Sequence, residues 1–139
     1  MTVSFTWQIE MDFGAGFVDV THDVRTVSPK AISRGIDGAG ITDRVAKVGT
    51  FAFALDNSAK NTVGTMGYYS PDSVNCRSGF GLGTKTRMTY TYGTIPYYKY
   101  YGKISDLTPT FGQLKERYTS VNCVDFMNEL LVHNLNGLA

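Results

Sequence analysis

Val48-Gly-Thr-Phe-Ala-Phe-Ala-Leu-Asp-Asn57 is the stretch on which the reading of this chain turns. Phe51, Phe53 and Leu55 alternate with Thr50, Ala52 and Ala54, a period of two that sets large side chains on one face of a strand. The small residues on the other face leave room for close packing there as well. Asp56-Asn57 stops the strand, because both side chains bond locally to backbone and favour turns.

Working outward, the flanks read as more strands. Val3, Phe5, Trp7 and Ile9 alternate with Ser4, Thr6, Gln8 and Glu10, Asp12-Phe-Gly-Ala-Gly16 reads as a tight turn, and Phe17-Val-Asp-Val-Thr21 returns, so residues 3–21 form a hairpin. Val24 to Ser33 reads as a further strand that Pro29 confines to an edge or a bulge, since proline cannot donate to a ladder. Arg34-Gly-Ile-Asp-Gly-Ala-Gly40 is a glycine-punctuated connection, and 41–47 a strand or short link. The segment 56–84 has no clear period. Such long irregular segments are usually functional or contact a neighbour, and here Tyr68, Tyr69 and Phe80 either pin a surface loop or serve that contact.

Regular structure resumes at Thr86-Arg-Met-Thr-Tyr-Thr-Tyr92, with Gly93-Thr94 as a two-residue hairpin turn into Ile95-Pro-Tyr-Tyr-Lys-Tyr-Tyr-Gly102. Tyr90, Tyr92, Tyr97, Tyr98, Tyr100 and Tyr101 make a dense aromatic cluster. It reads either as cross-strand packing or as a platform for sugar or single-stranded nucleic acid, though Arg87, Lys99 and Lys103 are too few for a nucleic-acid groove. Residues 103–107 extend this strand and 109–112 turn it. Residues 115–124 form the last strand, and Asp125 caps a helix over 126–135 that ends at Asn136-Gly137. Phe126, Leu130 and Asn134 share one face of that helix, with Met127, Leu131 and Leu135 beside them; its expected place is a plug for one end or face of a barrel. The fold expected is mainly β: an antiparallel barrel or sandwich of about seven strands with one short C-terminal helix.

Composition agrees. The chain has 139 residues, suited to one domain over 1–139, and is 42% hydrophobic and 13% aromatic with 15 Gly, a balance that favours β structure with many turns. A net charge of +1 gives no broad footprint for nucleic acid or an anionic membrane. No stretch approaches the ~20 apolar residues of a membrane helix. The first residues lack the basic and apolar regions of a signal peptide, which points to a cytoplasmic origin and to free thiols at Cys76 and Cys123.

Chemistry-bearing patterns are sparse. His22 and His133 form no ligand pair at helical spacing. Asp12, Asp19 and Asp23 lack the regular spacing of a calcium loop and read as turn residues. Gly35, Gly38 and Gly40 lack the Lys-Ser/Thr of a phosphate loop. Cys76 carries no family signature, and Glu10, Glu116 and Glu129 show no glycosidase-like pairing. The expectation is a non-enzyme with no cofactor and no metal.

In order and spacing the chain resembles the β-barrel domain of tailed-phage minor tail and baseplate-hub proteins and of related injection machines. The matching features are the first strand with Trp7, the steps Asp19-Val-Thr21 and Asp23-Val24, Arg34-Gly35, and Thr50 to Asn57. They continue with Tyr69-Ser-Pro71, Leu82-Gly83, Tyr101-Gly-Lys-Ile104, and Val121-Asn-Cys-Val-Asp125 leading into Phe126 to Leu131. Members often carry a more acidic first turn where this chain has Phe13-Gly-Ala-Gly16, and the domain commonly begins longer proteins. The resemblance implies a structural subunit of the virion tail, assembled in the bacterial host cytoplasm. Its partners would be other tail proteins (tube, hub, spike or tip) and further copies of itself in a ring. No active site comes with it. The residues expected at subunit contacts are Tyr68, Tyr69, Phe80, Tyr97, Tyr98, Tyr100 and Tyr101, since aromatics are enriched at interface cores. Two other readings stand beside it: a carbohydrate-binding β-sandwich using Tyr97, Tyr98, Tyr100 or Tyr101, and, more weakly, a small hydrolase whose residues converge only in the fold.

Overall fold

The strand quoted first is β4, Ala46–Asp56, and it lies one place from the edge of a seven-stranded antiparallel sheet. In this computed structural model residues 4–36, 40–42, 46–112 and 116–132 are described. The other strands are β1 (Phe5–Asp12), β2 (Phe17–Asp19), β3 (Ala31–Ile36), β5 (Lys85–Tyr92), β6 (Ile95–Phe111) and β7 (Arg117–Val124), and one helix, α1 (Phe126–Val132), follows. The sheet order is β2-β1-β5-β6-β7-β4-β3. The mainly β fold with a short C-terminal helix is therefore as expected. All the strands belong to one sheet, and among the described residues no ladder joins β2 to β3 to close it into a barrel.

The sheet folds over on β6. Its first half pairs with β5 and its second half with β7, and the two ladders overlap only at Lys103. Lys99 is an extra residue in the first ladder and Ser105 in the second, so two β-bulges bracket the bend, where bulges increase twist and re-aim side chains. Alternation alone hides this, because each bulge switches which residues face inward. Pro109, expected in a turn, sits inside β6 opposite Thr119. β6 has no β5 partner past Lys103, so its outer edge is open there and proline is tolerated.

The core gathers on the inner face from Ile9 and Met11, Phe51, Phe53 and Leu55, Met88, Tyr100, Ile104, and Val121 and Cys123. The first hairpin forms, but its return strand ends at Asp19, short of the expected Thr21, where Thr21–Asp23 turns as a 3-10 helix, and Val3 lies outside the described residues. Asp12 Oδ1 accepts from the Gly14 and Gly16 amides at 2.9 and 3.1 Å. These two donors hold the Asp12 carboxyl below its ordinary range. The expected strand from Val24 is shorter. Val24 makes one isolated bridge to Leu55, Arg25 N donates to Ala54 O, and the ladder to β4 starts again only at Ala31, past Pro29. That strand then runs through Arg34 and Gly35, where the sequence suggests a connection, with a register shift between Ser33 and Gly35 that leaves the extra residue on β4. Residues 20–25 thereby cross from β1, where Val20 N donates to Ile9 O, to β4.

The helix begins where Asp125 predicts. Its Oδ1 accepts from Met127 N at 3.1 Å, and its Oδ2 accepts from Gly49 N at 2.9 Å, tying the cap to β4. α1 does not plug the sheet with the face expected, since Phe126 is 62% and Leu130 is 52% exposed. His133, Asn134, Leu135 and the stop at Asn136-Gly137 lie outside the described residues, as do Lys115 and parts of the 37–45 link.

Candidate functional site

No strand or helix interrupts residues 57–84, yet the segment is anchored from within. Tyr69 is fully buried, between Tyr68 at 5.1 Å and Phe80 at 5.4 Å in edge-to-face packing. Its amide donates to Asn57 Oδ1 at 2.8 Å, its carbonyl accepts from Thr119 Oγ1 at 2.6 Å, and its hydroxyl donates to Asp23 Oδ2 at 2.5 Å. The other Asp23 oxygen accepts from Thr62 N at 2.7 Å and from the Thr62 hydroxyl. Asp23 is itself buried, and a buried carboxylate is tolerated only when hydrogen-bonded in this way. Burial first, then the bond to Asp23 and that residue's charge, push the Tyr69 phenol far above the ordinary tyrosine range, so it stays a donor. Arg77 lies 3.7 Å from the Phe13 ring centroid and fastens the far end of the segment to the first hairpin.

The seven aromatic residues expected at subunit contacts therefore divide. Tyr69, Phe80 and Tyr100 are core residues of this chain, and Tyr68 is half-buried. Each is held inside by its own fold, because the segment closes on Tyr69 and the bulge at Lys99 turns Tyr100 inward. Tyr97, Tyr98 and Tyr101 are exposed but do not share a face. Tyr97 pairs with Tyr90 on the face that carries Met88, while Tyr98 pairs with Thr89 and Tyr101 with Arg87 on the opposite one. Tyr97, Tyr98, Tyr100 and Tyr101 thus form no single platform.

Apart from the face that carries Tyr90 and Tyr97, two separate surfaces carry exposed apolar side chains among polar ones. On the outer face, Tyr98 and Tyr101 flank the Arg87–Glu10 ion pair (2.6 Å), and a cleft of about 410 Å³ runs from Tyr101 to Phe126. Arg87 also covers the Phe17 ring, which lies 6.1 Å from that of Tyr101. The second surface lies where the 57–84 segment meets the end of β6. Met66 and Phe111 line a hollow of about 240 Å³ there, and Phe111 is 79% exposed. The two share no lining residue.

The three glutamates each have a cationic neighbour. Glu10 pairs with Arg87, Glu116 with Arg25 at 3.7 Å, and Glu129 with Lys103. Asp19 accepts from Thr21 N at 2.8 Å, the local turn bond expected of it, whereas Asp23 serves the buried network instead of a turn. His22 is exposed in a 3-10 turn. Cys76 and Cys123 are free thiols; burial raises both, and Cys123 is pushed up to about 12. What sequence reasoning missed is the approach of Lys30 to Trp7, at 5.3 Å from ring centroid to ammonium, because neither residue's local pattern signals the other.

No family model matches the chain, and no curated protein matches it.

Proposed function

We propose that the chain is a structural component of a phage tail tip or baseplate hub, or of a related injection machine, and that it assembles as a ring subunit joining tail tube to tip or spike. The observation that carries this reading is that two surfaces sharing no lining residue each present exposed apolar side chains, one around Tyr98, Tyr101 and Phe126 and one around Met66 and Phe111. A closed ring built by heterologous contacts needs two different patches per subunit, one for each neighbour. The order of sequence features shared with tail-hub domains supports the same reading. On this proposal other tail proteins are the further partners, the virion tail is the place of work, and no catalytic role is assigned. A carbohydrate-binding module on Tyr97, Tyr98, Tyr100 and Tyr101 has less support, since these side chains are split between two faces and the core.

The test is complementation. Tyr98→Ser with Phe126→Ser disables one surface, and Phe111→Ser disables the other. Sedimentation velocity should show each variant unable to form rings, while an equimolar mixture recovers a dimer through the one intact pair of surfaces. Rings that persist in both variants, or a mixture that recovers nothing, would contradict the heterologous contact.

A further inference from the structure

We propose that the aromatic trough on the Met88-bearing face of β1, β5 and β6 binds an acidic saccharide, a chain of sugar rings each carrying its own carboxylate. The trough is made of two hollows, of about 230 and 390 Å³, that meet at Tyr90. Trp7 and Lys30 flank the first, and Phe5, Tyr97 and Lys99 the second. The sheet's register builds it: Trp7 lies opposite Tyr90 across β1 and β5, and Tyr90 lies opposite Tyr97 across β5 and β6. Phe5 stacks on Tyr90 at 5.2 Å and an interplanar angle of 24°, and is itself 61% exposed.

Each hollow joins aromatic surface to one ammonium. Lys30 Nζ stands 5.3 Å from the Trp7 centroid, and Lys99 Nζ stands 6.0 Å from that of Tyr90 and 5.9 Å from that of Tyr97. Backbone carbonyls hold the cationic side in place: Lys30 Nζ donates to Arg25 O at 3.2 Å, and Arg34 Nη1 donates to Lys99 O at 3.0 Å. No carboxylate lines either hollow among the described residues, so the positive charge there is not locally balanced. The complement is an anion with a flat apolar face.

The spacing selects the kind of anion. Each ammonium lies close to the faces of the rings themselves, so the negative charge has to sit on the same ring that stacks. A hexuronic acid meets this condition, with one C–H face for the aromatic ring and a carboxylate fixed directly to the sugar. A nucleotide carries its phosphate a full sugar away from the stacking base, and a neutral sugar offers no counter-charge to the two ammonium groups. This inference goes beyond the tail reading and does not depend on oligomeric state.

Trp7 is the single tryptophan of the chain, so its fluorescence reports on the trough directly. Titration of the full chain with hexagalacturonate should change that emission saturably. Cellohexaose and a thymidine hexanucleotide should both bind at least tenfold more weakly. Lys99→Gln should weaken hexagalacturonate about tenfold, as loss of a charge-assisted bond does, without changing cellohexaose binding. Val74→Ser, fully exposed in the 57–84 segment and lining neither hollow, should bind as the unaltered chain does. Absence of a saturable change with hexagalacturonate, equal affinity for cellohexaose, or tighter binding of the oligonucleotide would each overturn the assignment.

Discussion

Replacing Tyr69 with Phe removes one hydroxyl and leaves the ring in its packing against Tyr68 and Phe80. The hydroxyl is the partner of Asp23 Oδ2, which would then be a buried carboxylate oxygen without that donor. A hydrogen bond to a charged group is worth about 2 kcal/mol net, and for a chain of this length that lowers the melting temperature by about 7 °C. Thr119→Val is the matched comparison, since it deletes a neutral bond to the Tyr69 carbonyl and should cost about 1 kcal/mol. Urea unfolding followed by Trp7 fluorescence gives both values. Hydrogen exchange adds the location: protection should fall across 57–84 in Tyr69→Phe and stay unchanged in the β5–β6 ladder. A loss smaller than that of Thr119→Val, or exchange that rises evenly over the chain, would refute the claim that Asp23 and Tyr69 anchor this segment.

Three further outcomes follow from the same structure. Gly102→Ala should destabilise by about 2–3 kcal/mol in urea, because an added Cβ would stand 2.3 Å from Val124 O and 2.4 Å from the Tyr100 hydroxyl oxygen in a filled site. Asp125→Ala should cost about 1 kcal/mol through loss of the cap, and hydrogen exchange should show the Met127 and Gly49 amides losing protection together. Cys123 has a folded pKa raised from 9.0 to about 12, so its contribution is complete below pH 9 and is lost as pH rises through 12. Unfolding free energy should therefore decline across that window, and Cys123→Ala should make the decline shallower by up to one proton, about 1.4 kcal/mol per pH unit.

Much of the architecture is legible in local pattern. β1, β4, β5 and β7 announce themselves by alternation, the hairpin turn by Gly93-Thr94, and the helix start by Asp125. The sequence misleads where the pattern slips by one residue. At Lys99 and Ser105 a bulge shifts the inward parity of β6, so Tyr100 enters the core and Pro109 stays in the ladder. Two helix positions at matching spacing, Phe126 and Leu130, look like a core face but are exposed, because the Asp125–Gly49 bonds fix the helix orientation. The candidate sites were the least legible. Asp23 and Tyr69 lie 46 residues apart, and Trp7 and Lys30 come together only when the sheet bends. Such partners have no signature in spacing, since they are chosen by topology and not by local period.

Assembly through two unlike surfaces shows itself as mass in solution. Light scattering on the purified 15.3 kDa chain over a concentration series should resolve a discrete ring, an integer multiple of that mass which stays fixed over the upper range. A mass that remains at one subunit throughout the series, or that climbs without reaching a plateau, would contradict it.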